Sequence, residues 1–336
     1  MKAHRLCAPG PRETIMHTPV IVNGTSILAE TPASREPHAI ECFADSYAGS
    51  ALSSRELLKH TRLSAIVHDT VAACVDKNGR LFSLAKNVGV VSASLYGCVA
   101  ITDRTRSSYK EGGASSVDPV QFSKATHSFP ISMVSMNYGW QGPTAAIVGR
   151  RNAWIDAIGF AASAIRHRLA DALVVVAYEE IDNCVSAHLT RSGYFNGAND
   201  SGPKARASEG CAAVVITSSA LAKRAAVEQL CFPQLWRTGN TRHVPVENDL
   251  VNLRAAHKSV DIALDASPLM KRRIARSRAL DASDYRVSKQ DYLGATSAAL
   301  TVDWLQSETQ GSPLAIVSVD DKGARSSMFF QPMSVQ

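Results

Sequence analysis

Residues 142–180 read "GPTAAIVGRRNAWIDAIGFAASAIRHRLADALVVVAYEE". The segment contains an apolar approach, a tight turn, a helix of small residues and a buried strand, in the order that α/β proteins use to present a catalytic nucleophile at a helix N-terminus. The turn itself holds Arg150, Arg151 and Asn152. None of these side chains is a nucleophile, so the segment predicts the architecture of a reactive site without its reactive residue.

The rest of the chain alternates short β-branched runs with Ala-rich helical stretches, which predicts an α/β protein with buried, largely parallel strands. Strands are predicted to begin near residues 20, 88, 172, 212, 260 and 314, and helices to cover 54–76, 152–169, 247–257 and 293–307. Ser53 or Ser54 can cap the first of these helices, with Glu56 in its first turn. Residues 193–210, rich in Gly, Asn, Asp and Ser, predict a long surface loop.

Size and composition narrow the possible functions. A chain of 336 residues can bury a large core and suits two domains, or one domain built of two similar halves. Its longest apolar run, residues 172–178, is far shorter than the roughly 20 residues of a membrane helix, so no membrane span is predicted. Seven cysteines without CxxC spacing argue against a disulfide framework and a zinc site. We therefore expect a cytoplasmic protein with reduced thiols, no metal and no cofactor.

The N-terminal residues and the net charge also carry predictions. Pro9, Gly10 and Pro11 interrupt the first residues, so residues 1–15 are predicted to be a flexible extension or a misassigned start rather than a signal peptide. The net charge of +6 and a pI near 9.0 favour an acidic partner, which could be nucleic acid, anionic lipid or an acidic protein.

With this order of elements, the chain resembles the β-ketoacyl synthases, condensing enzymes of the thiolase fold. The similarity runs from "VIVNGTSIL" at residue 20 to "LGATSAALTVDWL" at residue 293, and Gly142-Pro143, Ile158-Gly159 and Glu179-Glu180 keep the family's register around the turn. The resemblance implies an α/β, thiolase-like fold of two related halves, with mostly parallel sheets packed between helix layers. The chain is expected to divide into a flexible N-terminal extension over residues 1–15, an N-terminal ketosynthase-like half over 16–235 and a C-terminal thiolase-like half over 236–336.

The three catalytic positions of that family are degenerate in this chain. Without gaps, Arg151 aligns with the nucleophilic cysteine, and a guanidinium stays protonated and cannot attack a thioester. The first catalytic histidine aligns with Ser267, within Ala-Ser-Pro, and the second with Asp291, or with Ala295 under a shifted alignment. The family's nearby lysine aligns with Arg286, or with Lys289 under that shift. The resemblance therefore predicts that condensing activity is absent from the single chain.

An inactive synthase-like chain is similar to the chain-length factors that pair with an active ketosynthase in type II polyketide and aryl polyene systems. This implies a heterodimer with that ketosynthase, formed through the strand Leu173, Val174, Val175 and Val176, and an acyl carrier protein as second partner. Two alternatives stay open. One is an enzyme repurposed for acyl transfer or dehydration through Asp291, Cys184 or His188, and the other is a free-standing acyl or carrier-protein binding module.

Two groups of charged residues also carry predictions. The run "KRRIARSR" contains the basic residues Lys271, Arg272, Arg273, Arg276 and Arg278. It is either a solvated helix face or a docking surface for the acidic carrier protein, whereas nucleic acid is disfavoured because no aromatic residue interleaves with the charges.

Asn152 is predicted to cap the helix after the turn. Because Arg150 and Arg151 lie at the positive end of that helix, one of them is expected to pair with Asp156 or with a partner's acid.

Overall fold

The computed structural model describes residues 17–29, 40–41, 52–195, 207–239, 246–256, 260–275, 285–288, 290–307, 312–320 and 324–333. Within these ranges the strands are β1 Pro19–Leu28, β2 Ile40–Glu41, β3 Val88–Ser94, β4 Thr144–Val148, β5 Ala172–Glu179, β6 Ala207–Ser208, β7 Gly210–Ser218, β8 Cys231–Gly239, β9 Asp261–Ala266, β10 Arg286–Val287, β11 Leu314–Val319 and β12 Arg325–Pro332. The α-helices are α1 Ser54–Leu57, α2 Arg62–Lys77, α3 Gly79–Leu84, α4 Val99–Gly112, α5 Pro119–Ser123, α6 Phe129–Tyr138, α7 Ala153–Arg166, α8 Asn183–Arg191, α9 Ser219–Ala225, α10 Val246–Ala256, α11 Pro268–Ala275 and α12 Thr296–Gln306, with 3-10 turns at Ala114–Ser116 and Leu293–Ala295.

Ten of the described strands form one continuous sheet that consists of two five-stranded halves of identical strand order, called the first and the second sheet below, and β2 pairs separately with β6. The first has the order β4-β3-β5-β7-β1 and the second β10-β9-β11-β12-β8, and the pairing of Ile21 with Cys231 joins them. In each sheet the fourth strand in this order, β7 or β12, runs antiparallel to both neighbours, while the other pairings described are parallel. The same order twice in one chain confirms two related halves with mostly parallel sheets. The division predicted between residues 235 and 236 falls inside β8, so the second half begins by Cys231.

Helices α7 and α12 form a central layer between the two sheets. Helix α12 contacts β7 and β1 of the first half and β9 and β11 of the second, and α7 contacts strands of both halves as well. Small residues such as Ala157 and Ala161 let α7 approach the sheets closely, and these side chains are buried. Trp154 donates from Nε1 to Thr301 Oγ1 at 3.1 Å, which links the two central helices. This layer places the N-termini of both helices in the middle of the molecule.

Outer helices cover the remaining face of each sheet. On the first half, α2, α6 and α9 pack apolar residues such as Val67, Ile131 and Leu221 against β3, β5 and β7. On the second half, α10 and α11 pack Leu253 and Ile274 against β9 and β11. The result is a layered arrangement of helix, sheet, helix, sheet and helix, with the sheets packed between helix layers as the family resemblance implied. None of the described helices is long and apolar enough to cross a lipid bilayer.

Local sequence signals have mixed outcomes. The cap at Ser53 is confirmed, because Ser53 and Glu56 exchange the two hydrogen bonds of a capping box. The single helix predicted over 54–76 is wrong, since Thr61 caps a second helix with Ser64 and the two helices are separated between residues 57 and 62. Strands β8 and β12 were not predicted from the sequence. The extension 1–15 lies outside the described residues, as does the middle of the loop predicted over 193–210.

Strand β5 lies inside the first sheet, between β3 and β7. Leu173, Val174, Val175 and Val176 have no exposed surface, and both edges of the strand are hydrogen-bonded within the chain. A strand that is paired on both sides cannot offer an edge to another subunit. The interface predicted through these four residues is therefore wrong. The outer strand of this sheet is β4, whose neighbour among the described strands is β3.

Candidate functional site

The turn after β4 brings Arg151 into the centre of the molecule. Gly149 has φ 115°, a backbone conformation that only glycine adopts without strain, and its N–H donates to Ser94 O at 3.1 Å. This sharp turn leaves Arg150 exposed but buries Arg151, which is 4% exposed, at the N-terminus of α7. A cation here is unfavourable beside the positive end of the helix dipole unless carboxylates compensate it.

Carboxylates from the second half provide that compensation. In the shared topology, β10 and α12 correspond to β4 and α7, so the segment before α12 is the equivalent of the Arg151 turn. It contains Asp291, which is 3% exposed. Asp265, which has no exposed surface, comes from the end of β9. Because the central layer sets both helix N-termini face to face, these residues meet although they are far apart in sequence.

Arg151 makes a forked set of bonds to both carboxylates. Its Nη1 lies 2.7 Å from Asp291 Oδ1 and 2.9 Å from Asp265 Oδ1, and its Nη2 lies 3.0 Å from Asp291 Oδ2. The same Nη1 also donates to Leu293 O at 3.1 Å. The expected pairing with Asp156 or with a partner's acid is wrong for Arg151, because its carboxylate partners Asp265 and Asp291 belong to the second half of the same chain.

The oxygens of Asp291 are fully used by donors. Besides Arg151, Oδ1 accepts from the Leu293 N–H at 3.0 Å and from Thr296 Oγ1 at 2.9 Å. Oδ2 accepts from the Tyr194 hydroxyl at 2.6 Å. A carboxylate that accepts from five protein donors has little capacity left to take a proton from a substrate. Asp291 is thus held as a structural anion.

Asp265 is satisfied in a similar way on its other oxygen. Its Oδ2 accepts from Ser297 Oγ at 2.6 Å and from Ser318 Oγ at 3.0 Å. These hydroxyls come from α12 and β11, so the carboxylate connects three elements of the second half with the turn of the first. We refer to Arg151, Asp265, Asp291 and Tyr194 as the buried ion cluster.

Burial and mutual attraction set the protonation states of this cluster. Burial favours neutral Arg151, but the carboxylates of Asp291 and Asp265 outweigh it and raise the pKa of the guanidinium. Burial would also raise the pKa of Asp291, yet the Arg151 charge outweighs burial and lowers it. For Asp265 burial prevails and raises the pKa. The core of the cluster is therefore an Arg151–Asp291 ion pair, and Asp265 is the more easily protonated acid.

Glu179 supports the cluster from the end of β5. Its carboxylate accepts from the Ser94 hydroxyl at 3.0 Å, from the Tyr96 N–H at 3.3 Å and from the Leu95 N–H. Burial raises the pKa of Glu179 to about 8. Gly294 allows the turn before α12 to approach this carboxylate closely, because a Cβ there would collide with it. Glu179 thus holds the loop after β3 rather than facing a ligand.

The neighbouring Glu180 is part of another buried charge pair. Arg62 lies 3.1 Å from Glu180 Oε1 and makes a two-pronged contact with Glu209 at 2.8 and 2.5 Å. Glu209 also accepts from the Ile181 N–H at 2.7 Å. These bonds connect α2 with the ends of β5 and β7. The Glu179-Glu180 pair, which helped to set the alignment, is therefore structural at both positions.

The remaining predicted positions have structural roles in this arrangement. Ser267, which is 2% exposed, accepts from the Met270 N–H at 3.3 Å, as a cap of α11 does. Asn152 occupies the cap position of α7 but makes no capping bond with its side chain, which instead donates to Ser326 Oγ at 2.7 Å. The predicted side-chain cap is therefore wrong. Arg286 pairs with Asp261 at 2.9 Å and with Asp303 at 3.0 Å, while Lys289 lies outside the described residues.

The geometry gives no support to the alternative of an enzyme that acts through Asp291, Cys184 or His188. Cys184 and His188 lie one turn apart on α8, and within the described part of the chain no hydrogen bond joins them. His188 is exposed and contacts the ring of Tyr96 edge-on at 5.9 Å. The third residue of that alternative, Asp291, is the saturated acid described above.

The basic run is only partly described. Lys271 and Arg272 are half-buried on α11, the side chain of Arg273 is not described, and Arg276 and Arg278 lie outside the described residues. The charge of Lys271 contributes to the lowered pKa of Asp291, so this side chain acts on the buried cluster. The docking function of the run stays a prediction.

Sequence reasoning missed Asp265 and Tyr194. Asp265 had a usable signal, because an acid inside the apolar run "VDIALDA" must find a partner once the strand is buried. Tyr194 had none, since it lies in a segment that was predicted only as a surface loop. The structure brings these two residues to Arg151 and Asp291, while Ser267 caps a neighbouring helix.

Comparison with solved structures identifies the fold. One chain from a complex of a type II polyketide acyl-carrier protein with its ketosynthase bound to the hexaketide aligns over 94% of this chain and 99% of its own length, with a TM-score of 0.67 and 18% identity. The ishigamide ketosynthase/chain length factor has a TM-score of 0.65 and 16% identity, and the alignment covers 94% of this chain and 100% of that chain. A β-ketoacyl synthase from Burkholderia phymatum STM815 has a TM-score of 0.69 and 12% identity, and the alignment covers 94% of this chain and 99% of that chain.

Two comparisons that use the sequence alone find no match. A scan against models of protein families gives no match, and no curated protein matches the chain. At identities of this size the structural similarity shows the fold, which is that of the ketosynthases as the sequence resemblance predicted. The buried ion cluster occupies the place where the resemblance expects the nucleophile and one histidine.

Proposed function

We propose that this chain is a non-catalytic, chain-length-factor-like subunit that pairs with an active β-ketoacyl synthase during polyketide, aryl polyene or fatty-acid-type chain elongation. The single observation that carries the proposal is the buried ion pair of Arg151 with Asp291. It fills the position of the nucleophile with a permanently protonated group and that of a catalytic histidine with an acid whose lone pairs are all used. A ketosynthase/chain length factor pair among the structural neighbours supports the same role.

The chemistry of condensation explains why these changes remove activity. A cysteine thiolate must accept the acyl group, and neutral imidazoles must stabilise the charge that develops as the extender unit decarboxylates. Arg151, Ser267 and Asp291 supply neither group. A folded ketosynthase-like chain without this chemistry can still act by shaping the complex of a catalytic relative.

The proposal predicts that the purified chain alone does not condense acyl and malonyl carrier proteins, whereas product forms when it is co-expressed with the active ketosynthase encoded nearest to it. Product is measured by mass spectrometry of the carrier-bound chain. The control is the active ketosynthase without this chain, which should release less product or products of another length. Turnover by the single chain would instead favour the repurposed enzyme.

We place the partner at the edge of β4 rather than at β5. Thr144 is exposed, and Ala145 to Val148 are half-buried although the strand is apolar. Helices α6 and α7, which contact β4, expose Met136 by 74% and Phe160 by 40%. An apolar edge strand without a protecting charge is an aggregation hazard unless another strand covers it. A sheet continuing into the synthase would bury this edge.

Met136→Glu is expected to weaken the complex with the synthase about tenfold, because it puts an unpaired charge into an apolar contact. The chain itself should keep its melting temperature, since Met136 is exposed. Affinity is measured by titration of the labelled synthase. Val251→Glu on α10, another apolar residue at a 41% exposed position, is the matched control and should bind as the wild type does. Equal affinity of both variants would place the partner elsewhere.

The second proposed partner is an acyl carrier protein, as one of the structural neighbours binds. The support on this chain is its net charge of +6 and the half-buried Lys271 and Arg272 on α11. An acidic carrier protein would be attracted to such a surface at physiological salt, where charges interact over about 8 Å.

A further inference from the structure

A strongly basic surface lies at the amino ends of β3 and β5, where α2, α7 and α9 end. Its exposed basic residues are Lys77, Arg80, Lys86, Arg166, His167, Arg168, Lys223 and Arg224. We call these residues, together with Leu169, the basic face. Two contacts show that its parts are adjacent: Asn87 Nδ2 donates to Leu169 O at 2.7 Å, and Arg224 Nη2 donates to Leu84 O at 3.3 Å.

Acidic residues nearby do not neutralise this face. Asp76 and Glu228 are exposed at its margin. The carboxylate of Asp171 accepts from the backbone N–H groups of Lys86 and Asn87 at 2.8 and 3.0 Å, so it serves the backbone rather than a basic side chain. The basic residues clearly outnumber these acids, and the face attracts anionic groups.

Helix dipoles explain much of this charge without any partner. Lys77, Arg166 and Lys223 lie in the last turns of α2, α7 and α9, where a cation stabilises the negative end of the helix. This explanation does not extend to Arg168 and Leu169, which lie beyond His167, the C-cap residue of α7. Both residues depart from the usual residue preferences at a helix end.

The chain leaves α7 through a Schellman motif. Leu169 N–H donates to Ala164 O at 2.9 Å, and Arg168 N–H donates to Ile165 O at 3.1 Å. In this motif the left-handed position is usually glycine, and the apolar residue after it packs back on the helix. Here the left-handed residue is Arg168, with φ 59°, and Leu169 is 57% exposed. Departures from local preference at two adjacent exposed residues are expected where a surface has a function.

We infer that the basic face binds an acidic protein, through a helix that presents carboxylates around an apolar side chain. Leu169 would be the apolar contact at the centre, and the surrounding Arg and Lys side chains would pair with the carboxylates. Next to Arg166, a groove of about 360 Å³ lined by Phe232 and Pro233 can take a second apolar side chain. The basic face is separate from the β4 edge and from α11, where the synthase and the carrier protein are proposed to bind, so this inference does not depend on the proposed function.

The composition of the face argues against other polyanions. Single-stranded nucleic acid is bound by stacking on exposed aromatic rings, and among the described residues at this face the aromatic Phe232 in the groove is half-buried rather than exposed. A membrane surface is bound through several exposed apolar side chains, whereas Leu169 is the one large apolar side chain that is exposed in the described part of this face. Protein interfaces combine an apolar centre with a polar rim and are enriched in arginine, which this face supplies at Arg80, Arg166, Arg168 and Arg224.

The test measures binding of a fluorescent synthetic helix with glutamates around one leucine, by anisotropy on the full chain. Arg168→Gly should raise the melting temperature, because glycine suits the left-handed position, and yet weaken binding about fivefold. Leu169→Gln should weaken binding by a similar factor with an unchanged melting temperature. Lys110→Glu, an exposed residue of α4, is the control for charge alone and should bind almost as the wild type does.

Three results would overturn the inference. The first is no binding of the helix to the wild type. The second is equal binding by wild type and Leu169→Gln, which would leave only unspecific charge attraction. The third is stronger binding to a DNA duplex or to vesicles containing phosphatidylserine than to the acidic helix, which would assign the face to nucleic acid or to membranes.

Discussion

Replacing Arg151 with Cys is expected to destabilise the fold by about 3–5 kcal/mol and to produce no condensing activity. The substitution restores the nucleophile expected at this position but leaves Asp291 and Asp265 buried without their counter-charge. Burial beside two carboxylates also keeps a thiol protonated, and neither Ser267 nor Asp291 can replace the missing imidazoles. Chemical denaturation measures the stability, and the carrier-protein condensation assay measures the activity.

Two isosteric variants test separately how much each carboxylate of the buried ion cluster contributes to stability. Asp291→Asn removes the acid whose pKa is lowered by Arg151, so it should be clearly destabilising. Asp265→Asn should cost less, because burial already raises the pKa of Asp265 and its neutral form is tolerated. The reverse order, or a variant Arg151→Cys as stable as the wild type, would contradict the structural role of the cluster. Condensation by Arg151→Cys would contradict the proposed function.

Val175→Asp is expected to prevent folding altogether. Val175 has no exposed surface and lies opposite Val91 of β3 and Val214 of β7, so the new carboxylate would be buried without a partner. Such a change belongs to the small class that costs about 4 kcal/mol or more, a large part of the stability of an ordinary domain. Circular dichroism and urea denaturation of the purified variant are the measurements.

The matched control at this position is Val175→Thr, which keeps the shape and buries a hydroxyl that can bond to the backbone. It should fold with a smaller loss of stability. If Val175→Asp folded normally and failed only to bind the synthase, the interface would lie at β5 after all. The contrast with Met136→Glu, which should fold and lose the partner, separates a core strand from an edge strand.

Local features of the sequence were sufficient for much of the architecture. The alternation of apolar runs and Ala-rich helices predicted an α/β protein, and the register around Gly142-Pro143 and Ile158-Gly159 predicted the turn before α7. The first prediction depends on residues close in the chain, whose spacing sets secondary structure, and the second on the resemblance to the synthases. The resemblance to the synthases aligned Arg151 with one catalytic position and Asp291, or Ala295 under a shift, with another, and the structure joins Arg151 to Asp291 at 2.7 Å.

Only the tertiary structure decided which strand is central and which charges meet. A fully buried strand such as β5 and an apolar edge strand such as β4 have similar sequences, because strand order depends on pairings between distant segments. Likewise, Asp265 lies 114 residues from Arg151 and Tyr194 lies 97 residues from Asp291. These contacts form because the duplicated fold sets the N-termini of α7 and α12 face to face, and a charge buried there is stable only with its partners in reach.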